Sequence, residues 1–205
     1  MSAAVVCQAA SLLLSYPDAD IRERMPLISE AVAELATGPA RAGLRRFLDH
    51  AADTAPRELA EHYVATFDRR QRCCLYLTWY SDGDTRRRGQ SLADLKARYR
   101  RSGFEPVQSE LPDYLPLVLE YAAIADLADG LELLQEHRAG LELLRLALQD
   151  VGSPYSAVVE AVCALLPGPS PRDRQAALRL ARTGPPKETV GLEPFPLPVS
   201  GGSRR

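Results

Sequence analysis

The residues best suited to chemistry lie between Leu77 and Glu120. In LTWYSDGDTRRRGQ, Asp82 and Asp84 flank Gly83, and Arg86, Arg87, Arg88 and Gly89 follow. Further along, ELPDYLPLVLE sets Glu110, Asp113 and Glu120 around an aliphatic run. Three chemistries suit such residues. Asp82, Asp84 and Glu110 could hold a divalent metal for hydrolysis, but their spacing matches no ligand pattern. The glycine-flanked loop could cradle phosphate, yet G-x-x-x-x-G-K-[ST] is absent and no strand precedes it. The arginines could lie along nucleic acid: Arg69 to Arg101 holds 10 Lys/Arg against 3 Asp/Glu. The remainder holds 15 basic against 24 acidic residues, and the net charge of −2 lacks the positive excess that phosphate binding uses.

Histidine and cysteine offer little more. His50, His62 and His137 fall on separate helical stretches, with no two at the i, i+4 spacing of a helical metal site. Cys7, Cys73, Cys74 and Cys163 form no C-x-x-C pair, and adjacent Cys73 and Cys74 read as packing beside Leu75, Tyr76 and Leu77. No catalytic residue, metal or cofactor is assigned. The thiols fit a reducing compartment. No Lys or Arg precedes Arg22, so MSAAVVCQAASLLLSYPDAD reads as a first helix rather than an export signal. No apolar run reaches the roughly 18 residues of a membrane span. The expectation is a cytoplasmic protein that inserts into no membrane.

The elements that position these residues read as helices throughout. Val5, Val6, Ala9, Leu12, Leu13 and Tyr16 form one stripe closed by Pro17. Pro26 is expected to open a second helix, with Leu27, Ile28, Ala31, Val32 and Leu35 inward and Gly38 as its stop; Pro39 and Pro56 open a third and a fourth. SDGD reads as a turn, and Asp84 as the N-cap of a helix carrying Leu92, Leu95 and Tyr99 to Gly103. One helix is expected from Asp113 to Leu127, then helical pattern from Leu131 to Leu148 with a break near Gly140. Ser153 and Pro154 start another, which Pro167 ends. A short helical segment around Gln175 to Ala181 precedes a Pro/Gly-rich stretch expected to be a disordered tail, 183–205. The fold class is all-α: a single-domain helical bundle over 1–182 with about eight or more helices.

Asp113 has two readings, an N-cap for the helix after it or part of an acidic, hydrophobic rim that receives a basic amphipathic peptide. Here a resemblance enters. YVATFDRRQRCCLYLTWYSDGDTRRRGQSLADLKARYRRSGF followed by ELPDYLPLVLEYAA resembles the respiratory nitrate reductase assembly chaperones of the delta-subunit or NarJ type, which belong with the TorD-like redox-enzyme maturation chaperones. The likeness extends over Ala10 to Pro167, with LLSYPD early and SPYSAVVEAV late, and departs from the family pattern at Cys73, Cys74 and Trp79.

The resemblance implies a TorD-like fold and a non-catalytic, system-specific chaperone. Its partner would be the immature nitrate reductase alpha subunit, including the N-terminal segment, with molybdenum cofactor delivery proteins as further partners. It would permit molybdenum cofactor insertion and delay membrane docking. The family pattern carries over to Phe67, Asp68, Leu75, Leu77, Thr78, Gly83, Asp84, Arg86, Arg88 and Gly89 as structural or client-contact positions. Tyr76, Glu110, Leu111, Pro112, Asp113, Tyr114, Leu115, Pro116, Leu119 and Glu120 are the candidate client-peptide residues. The alternatives are a nucleic-acid-binding helical domain using the Arg69–Arg101 strip and a structural subunit of the enzyme complex.

Overall fold

Apolar side chains three and four residues apart cannot all be buried by one helix alone, so the segments pack face against face. The computed structural model describes residues 2–106 and 110–183, without the side chains of the last three. Among them run eleven α-helices: α1 (Ser2–Leu13), α2 (Ala19–Ala33), α3 (Pro39–Asp53), α4 (Pro56–Tyr63), α5 (Leu77–Asp82), α6 (Arg86–Arg101), α7 (Leu115–Ile124), α8 (Leu127–Glu136), α9 (Arg138–Asp150), α10 (Ser156–Cys163) and α11 (Arg174–Thr183). A π turn, Val64–Asp68, extends α4, and a 3-10 turn, Gln71–Cys73, follows it. The all-helical, single-bundle architecture is as expected. Of the tail, residues 184–205 lie outside the described residues.

The core is built on α1 against α7, α3 against α10, and α9 against α10, α11 and α5. Leu14, Leu44, Leu115, Val118, Leu119, Tyr121, Leu134, Leu141, Leu144 and Val158 are all fully buried. One close approach depends on a glycine: a Cβ on Gly130 would lie 2.5 Å from Ala122 Cα, so α8 meets α7 where only hydrogen fits.

Several boundaries fall elsewhere than expected. Pro26 lies inside α2, because Asp18 Oδ1 already caps that helix by accepting from the Ile21 N–H at 2.9 Å. The register set at Asp18 turns Leu27 outward, 67% exposed. Ser81 and Asp82 belong to α5 rather than to a turn. The break expected near Gly140 sits at His137, and Gly140 is interior to α9, where a Cβ would come 2.8 Å from Tyr80 Cβ. Its missing side chain serves packing, not termination. The α7 helix starts after Tyr114 and ends at Ile124, which is exposed, short of the expected span from Asp113 to Leu127. At α10 the cap position is Tyr155, and the Ser153 hydroxyl is instead 3.0 Å from His62 Nε2.

Candidate functional site

The two sequence motifs meet in space. Pro112 disfavours helix at Leu111, a turn closed by the Tyr114 N–H on the Leu111 carbonyl at 3.0 Å follows, and Pro116 occupies the first turn of α7, so 111–115 forms a strap leading into that helix. The strap runs antiparallel to 75–78: the Leu77 N–H donates to the Asp113 carbonyl at 2.9 Å and the Leu115 N–H to the Leu75 carbonyl at 2.7 Å. Tyr76 and Tyr114 form an isolated antiparallel bridge, their rings 5.6 Å apart.

Beneath the bridge lies a buried charge. Asp113 is 0% exposed, and its Oδ2 accepts from the Thr78 N–H at 3.2 Å and from the Thr78 hydroxyl at 2.5 Å. The Thr78 hydroxyl accepts in turn from Arg88 Nε at 3.1 Å, while Arg88 Nη2 stands 3.6 Å from Asp113 Oδ2. The Arg88 guanidinium also sits 5.8 Å from the Tyr76 ring centroid, a cation–π contact. Tyr99 donates its hydroxyl to the Pro112 carbonyl at 2.6 Å. Asp113 therefore ties strap, α5 and α6 together.

That arrangement corrects two cap assignments. Asp113 caps nothing: Tyr114 is at the N-cap of α7, with no side-chain cap bond, and the Asp113 carboxylate is turned toward Thr78. Nor does it stand on a rim with Glu120, since Asp113 is enclosed and Glu120 is half-buried. Asp84 is not a cap either, because Thr85 holds that position in α6 and its hydroxyl donates to the Asp82 carbonyl at 2.9 Å. Asp84 is exposed.

The arginine triplet divides. Arg86 is exposed, Arg87 lies 3.3 Å from Asp82, and Arg88 goes inward to Asp113. With Arg98 also turned to Asp129 and Glu136, the basic strip does not form one continuous face. Gly83 ends α5 at φ +59°, a left-handed position that suits glycine; Gly89 is exposed in the first turn of α6. Among the described residues, no three His, Cys, Asp or Glu side chains are grouped to hold a metal ion.

The other motif positions separate by depth. Phe67, Leu75, Leu77, Pro112, Leu115, Pro116 and Leu119 are buried. Asp68 and Glu110 are exposed, Leu111 is 41% exposed, and Tyr76 and Tyr114 are half-buried. Sequence reasoning missed the tyrosines that back this surface and flank it, buried Tyr63 and exposed Tyr16. The Tyr63 hydroxyl lies 3.0 Å from that of Tyr114 and donates to the Leu14 carbonyl at 3.1 Å, and Tyr16 packs edge-on to Tyr63 at 5.5 Å. The result is a track of four tyrosines, Tyr16, Tyr63, Tyr114 and Tyr76. The π turn directly after Tyr63 contributes Phe67 beneath it, 4.8 Å from the Tyr63 ring. The spacing of Tyr16 and Tyr63 carries no signal for this meeting, because it depends on how α1 packs.

Electrostatics give the track a sign. Burial pushes the Tyr114 phenol up to about 12, and Glu110 and Asp68 push the same way while the Tyr63 hydrogen bond opposes. Burial raises Tyr76 too, again with Glu110, Asp113 and Asp68 adding and Arg88 opposing. Aromatic faces beside exposed carboxylates favour a cationic, partly apolar partner.

Comparison with known proteins agrees with the motifs. Residues 32–160 match the family described as nitrate reductase delta subunit. The chain belongs to that family. It is 35% identical over 162 residues to a Bacillus subtilis protein named a probable nitrate reductase molybdenum cofactor assembly chaperone NarJ, covering 79% of this chain and 88% of that protein. The Escherichia coli K12 chaperone NarJ is 34% identical over 152 residues, 73% of this chain and 64% of its own length. The nitrate reductase-like protein NarX of Mycobacterium tuberculosis is 39% identical over 159 residues, 78% of this chain but 24% of that longer protein. A structure assigned as a redox enzyme maturation protein from Archaeoglobus fulgidus shares the fold with a TM-score of 0.59 at 18% identity, covering 79% of this chain and 92% of that one. Delta-subunit family membership thus rests on sequence, and the structural likeness independently supports the helical architecture. No helix among the described residues is long and apolar enough to cross a membrane.

Proposed function

We propose that this protein is a chaperone for respiratory nitrate reductase, acting in the cytoplasm on the unassembled catalytic alpha subunit. It binds that subunit, including its N-terminal segment, keeps it open to molybdenum cofactor insertion, involving the cofactor delivery proteins, and delays membrane docking until maturation is complete. The observation that carries the reading is the 35% identity over nearly the whole of a relative named for molybdenum cofactor assembly.

The tyrosine track supports the mode of binding. Leu111 and the exposed faces of Tyr16, Tyr76 and Tyr114 supply anchors for the apolar side of an amphipathic helix, with buried Tyr63 backing them, and Glu110 and Asp68 meet its basic residues. Pro112, Asp113, Leu115, Pro116 and Leu119 act from below by fixing the strap rather than by touching a client. Glu120 stands apart on α7. The experiment is affinity capture with the full chain from cells respiring nitrate. Recovery of catalytic subunit without its cofactor is the expected result. Recovery of only the mature, cofactor-loaded complex would favour a structural subunit, and recovery of no nitrate reductase component would defeat the proposal.

A further inference from the structure

The basic stretch Arg69–Arg101 is only partly neutralised inside the fold. Arg87, Arg88 and Arg98 stand in ion pairs, whereas Arg70 and Arg72 are exposed at the 3-10 turn. Among the described residues neither of these two side chains has an ion pair or a hydrogen bond, not even to the carbonyls that end α9. Their backbone is fixed all the same. The Cys73 N–H donates to the Arg70 carbonyl at 2.8 Å, and the Tyr80 hydroxyl lies 3.0 Å from the Arg72 and Cys74 carbonyls. The two charges are thereby held on either side of Gln71, at the mouth of a cavity of about 310 Å³ between this turn and the end of α9.

The cavity has a cationic rim and an apolar floor. Arg70, Gln71 and Arg72 are exposed, Cys73 and Ala147 are buried and Val151 is half-buried; among the described residues no carboxylate lines it. Its sign is visible at Cys73. Burial raises the proton affinity of that thiol, Arg70 and Arg72 act against burial, and Asp150, which adds to it, weighs less than either arginine. A small polar ligand needs donors placed in the depth of its site, and here the depth offers aliphatic groups and a thiol. An apolar centre inside a charged rim is instead the anatomy of a protein contact. A cavity of roughly 150 Å³ accepts a benzene ring, so this one has room for a leucine or an aromatic side chain. The tyrosine track, with carboxylates at its edge, has the opposite sign, and a basic helix suited to it is repelled here.

We propose that this cavity is a second docking site, for an acidic segment of another protein that sets one leucine or aromatic side chain on Ala147 and Val151 and its flanking carboxylates on Arg70 and Arg72. Guanidinium groups suit that task, since each can take a carboxylate through two parallel N–H donors. The site stands on the cavity and its charge and does not depend on the chaperone reading.

The test is calorimetry at low ionic strength with the full chain and a synthetic peptide of about ten residues that carries a Trp flanked by Glu on both sides. Matching peptides with Lys in place of Glu, or Ser in place of Trp, are the comparisons. Arg70→Glu with Arg72→Glu reverses the rim, and Val151→Trp fills the cavity without touching a charge. Because both arginines are exposed and unpaired among the described residues, the double reversal is expected to keep the wild-type melting temperature within a few degrees. It should weaken the acidic peptide about tenfold or more, by a margin that shrinks as salt is added. The loss from Val151→Trp persists in salt; if that variant does not fold, the double reversal and the comparison peptides decide. Equal binding of the Lys peptide, or wild-type affinity after the double reversal, overturns the site. Equal binding of the Ser peptide does so too, because it leaves surface charge alone. Phenyl phosphate that binds as tightly as the acidic peptide and is lost on the double reversal gives the cavity to a small anion and overturns the protein partner. Tighter peptide binding in Phe195→Ser, or self-association of the chain that the double reversal abolishes, gives the cavity to this chain itself and overturns a separate partner.

Discussion

Two buried charged networks hold this protein, and they do different work. At the strap, one carboxylate, Asp113, accepts from the Thr78 N–H and hydroxyl and faces the Arg88 charge, and so joins segments far apart in the chain. On α9, Arg138, Glu142 and Arg145 stand in a row at 1%, 0% and 7% exposure. Arg138 donates to the Pro167 carbonyl and, at 2.7 Å, to that of Gly168; Arg145 donates to the Pro171 carbonyl at 2.6 Å, and the Ser170 hydroxyl to Glu142 at 2.6 Å. The first network links side chains between core elements. The second holds an irregular proline-rich segment by its main chain and thereby seats α11 on α9. Opening the first strands a charge between core elements, whereas removing Glu142 from the second strands two guanidinium groups that still hold main-chain carbonyl acceptors.

The largest effect is expected from Asp113→Ala. It leaves the Thr78 N–H and hydroxyl without their acceptor and Arg88, still bonded to the Thr78 hydroxyl, without its ion-pair partner, and losing one partner of a buried pair costs on the order of 3–5 kcal/mol. Urea unfolding should show a lower midpoint with an unchanged slope. A loss near 1 kcal/mol, the usual size for a cap, would restore the cap assignment and break the contrast.

Glu142→Ala comes next. Arg138 and Arg145 lose their carboxylate but keep their carbonyl acceptors, so about 2–3 kcal/mol is expected. Amide exchange should quicken first in 164–183 and only later in α1 and α7. Uniform acceleration would mean that the clasp belongs to the same cooperative unit as the strap. Arg88→Lys sharpens the strap side. Lysine keeps the charge yet loses the Nε bond to Thr78 and the planar contact with Tyr76, for roughly 1 kcal/mol. No change on unfolding would show that charge alone holds Asp113.

The contrast also marks what the sequence could tell. LPDYLP announced a special site through its prolines and acid, and the helical class was legible from apolar spacing. The role of Asp113 was not, because a cap and a buried tie present the same residue before the same helix; only the partner Thr78, 35 positions away, distinguishes them. The α9 clasp left even less trace. Arg138, Glu142 and Arg145 have the i, i+4 and i, i+3 spacing of an ordinary solvated pair pattern, and nothing local says that 167–171 covers them. The tyrosine track was hidden for the same reason, since Tyr16 and Tyr63 meet through packing of α1. Helix boundaries failed where proline or glycine was read as punctuation, at Pro26 and Gly140, although each sits inside a helix whose ends other residues set.

The smallest effect concerns the residue between the two networks. His137 immediately precedes Arg138 of the clasp, and Asp113 of the strap contributes to its field. Burial is the main cause of its lowered proton affinity, with Arg98 adding; Glu136, Asp113 and Asp82 oppose. The folded protein thus holds the ring neutral at a pH where the unfolded chain, near 6.5, already takes up a proton. Its contribution to stability is complete above about 6.5 and is lost as pH falls through the window down to the lower folded value. His62, lowered mainly by burial and also by His50 and Arg70, acts in the same sense, so replacing His137 removes only part of the slope. His137→Gln should therefore flatten the fall in melting temperature from pH 6.5 toward 5, by an amount worth less than about 1 kcal/mol. An identical slope in wild type and variant would show the ring to be hydrated in the folded state. A variant whose melting temperature falls more steeply with acid than the wild type would show that the carboxylates outweigh burial, with His137 charged in the fold and the strap's field reaching the start of the clasp.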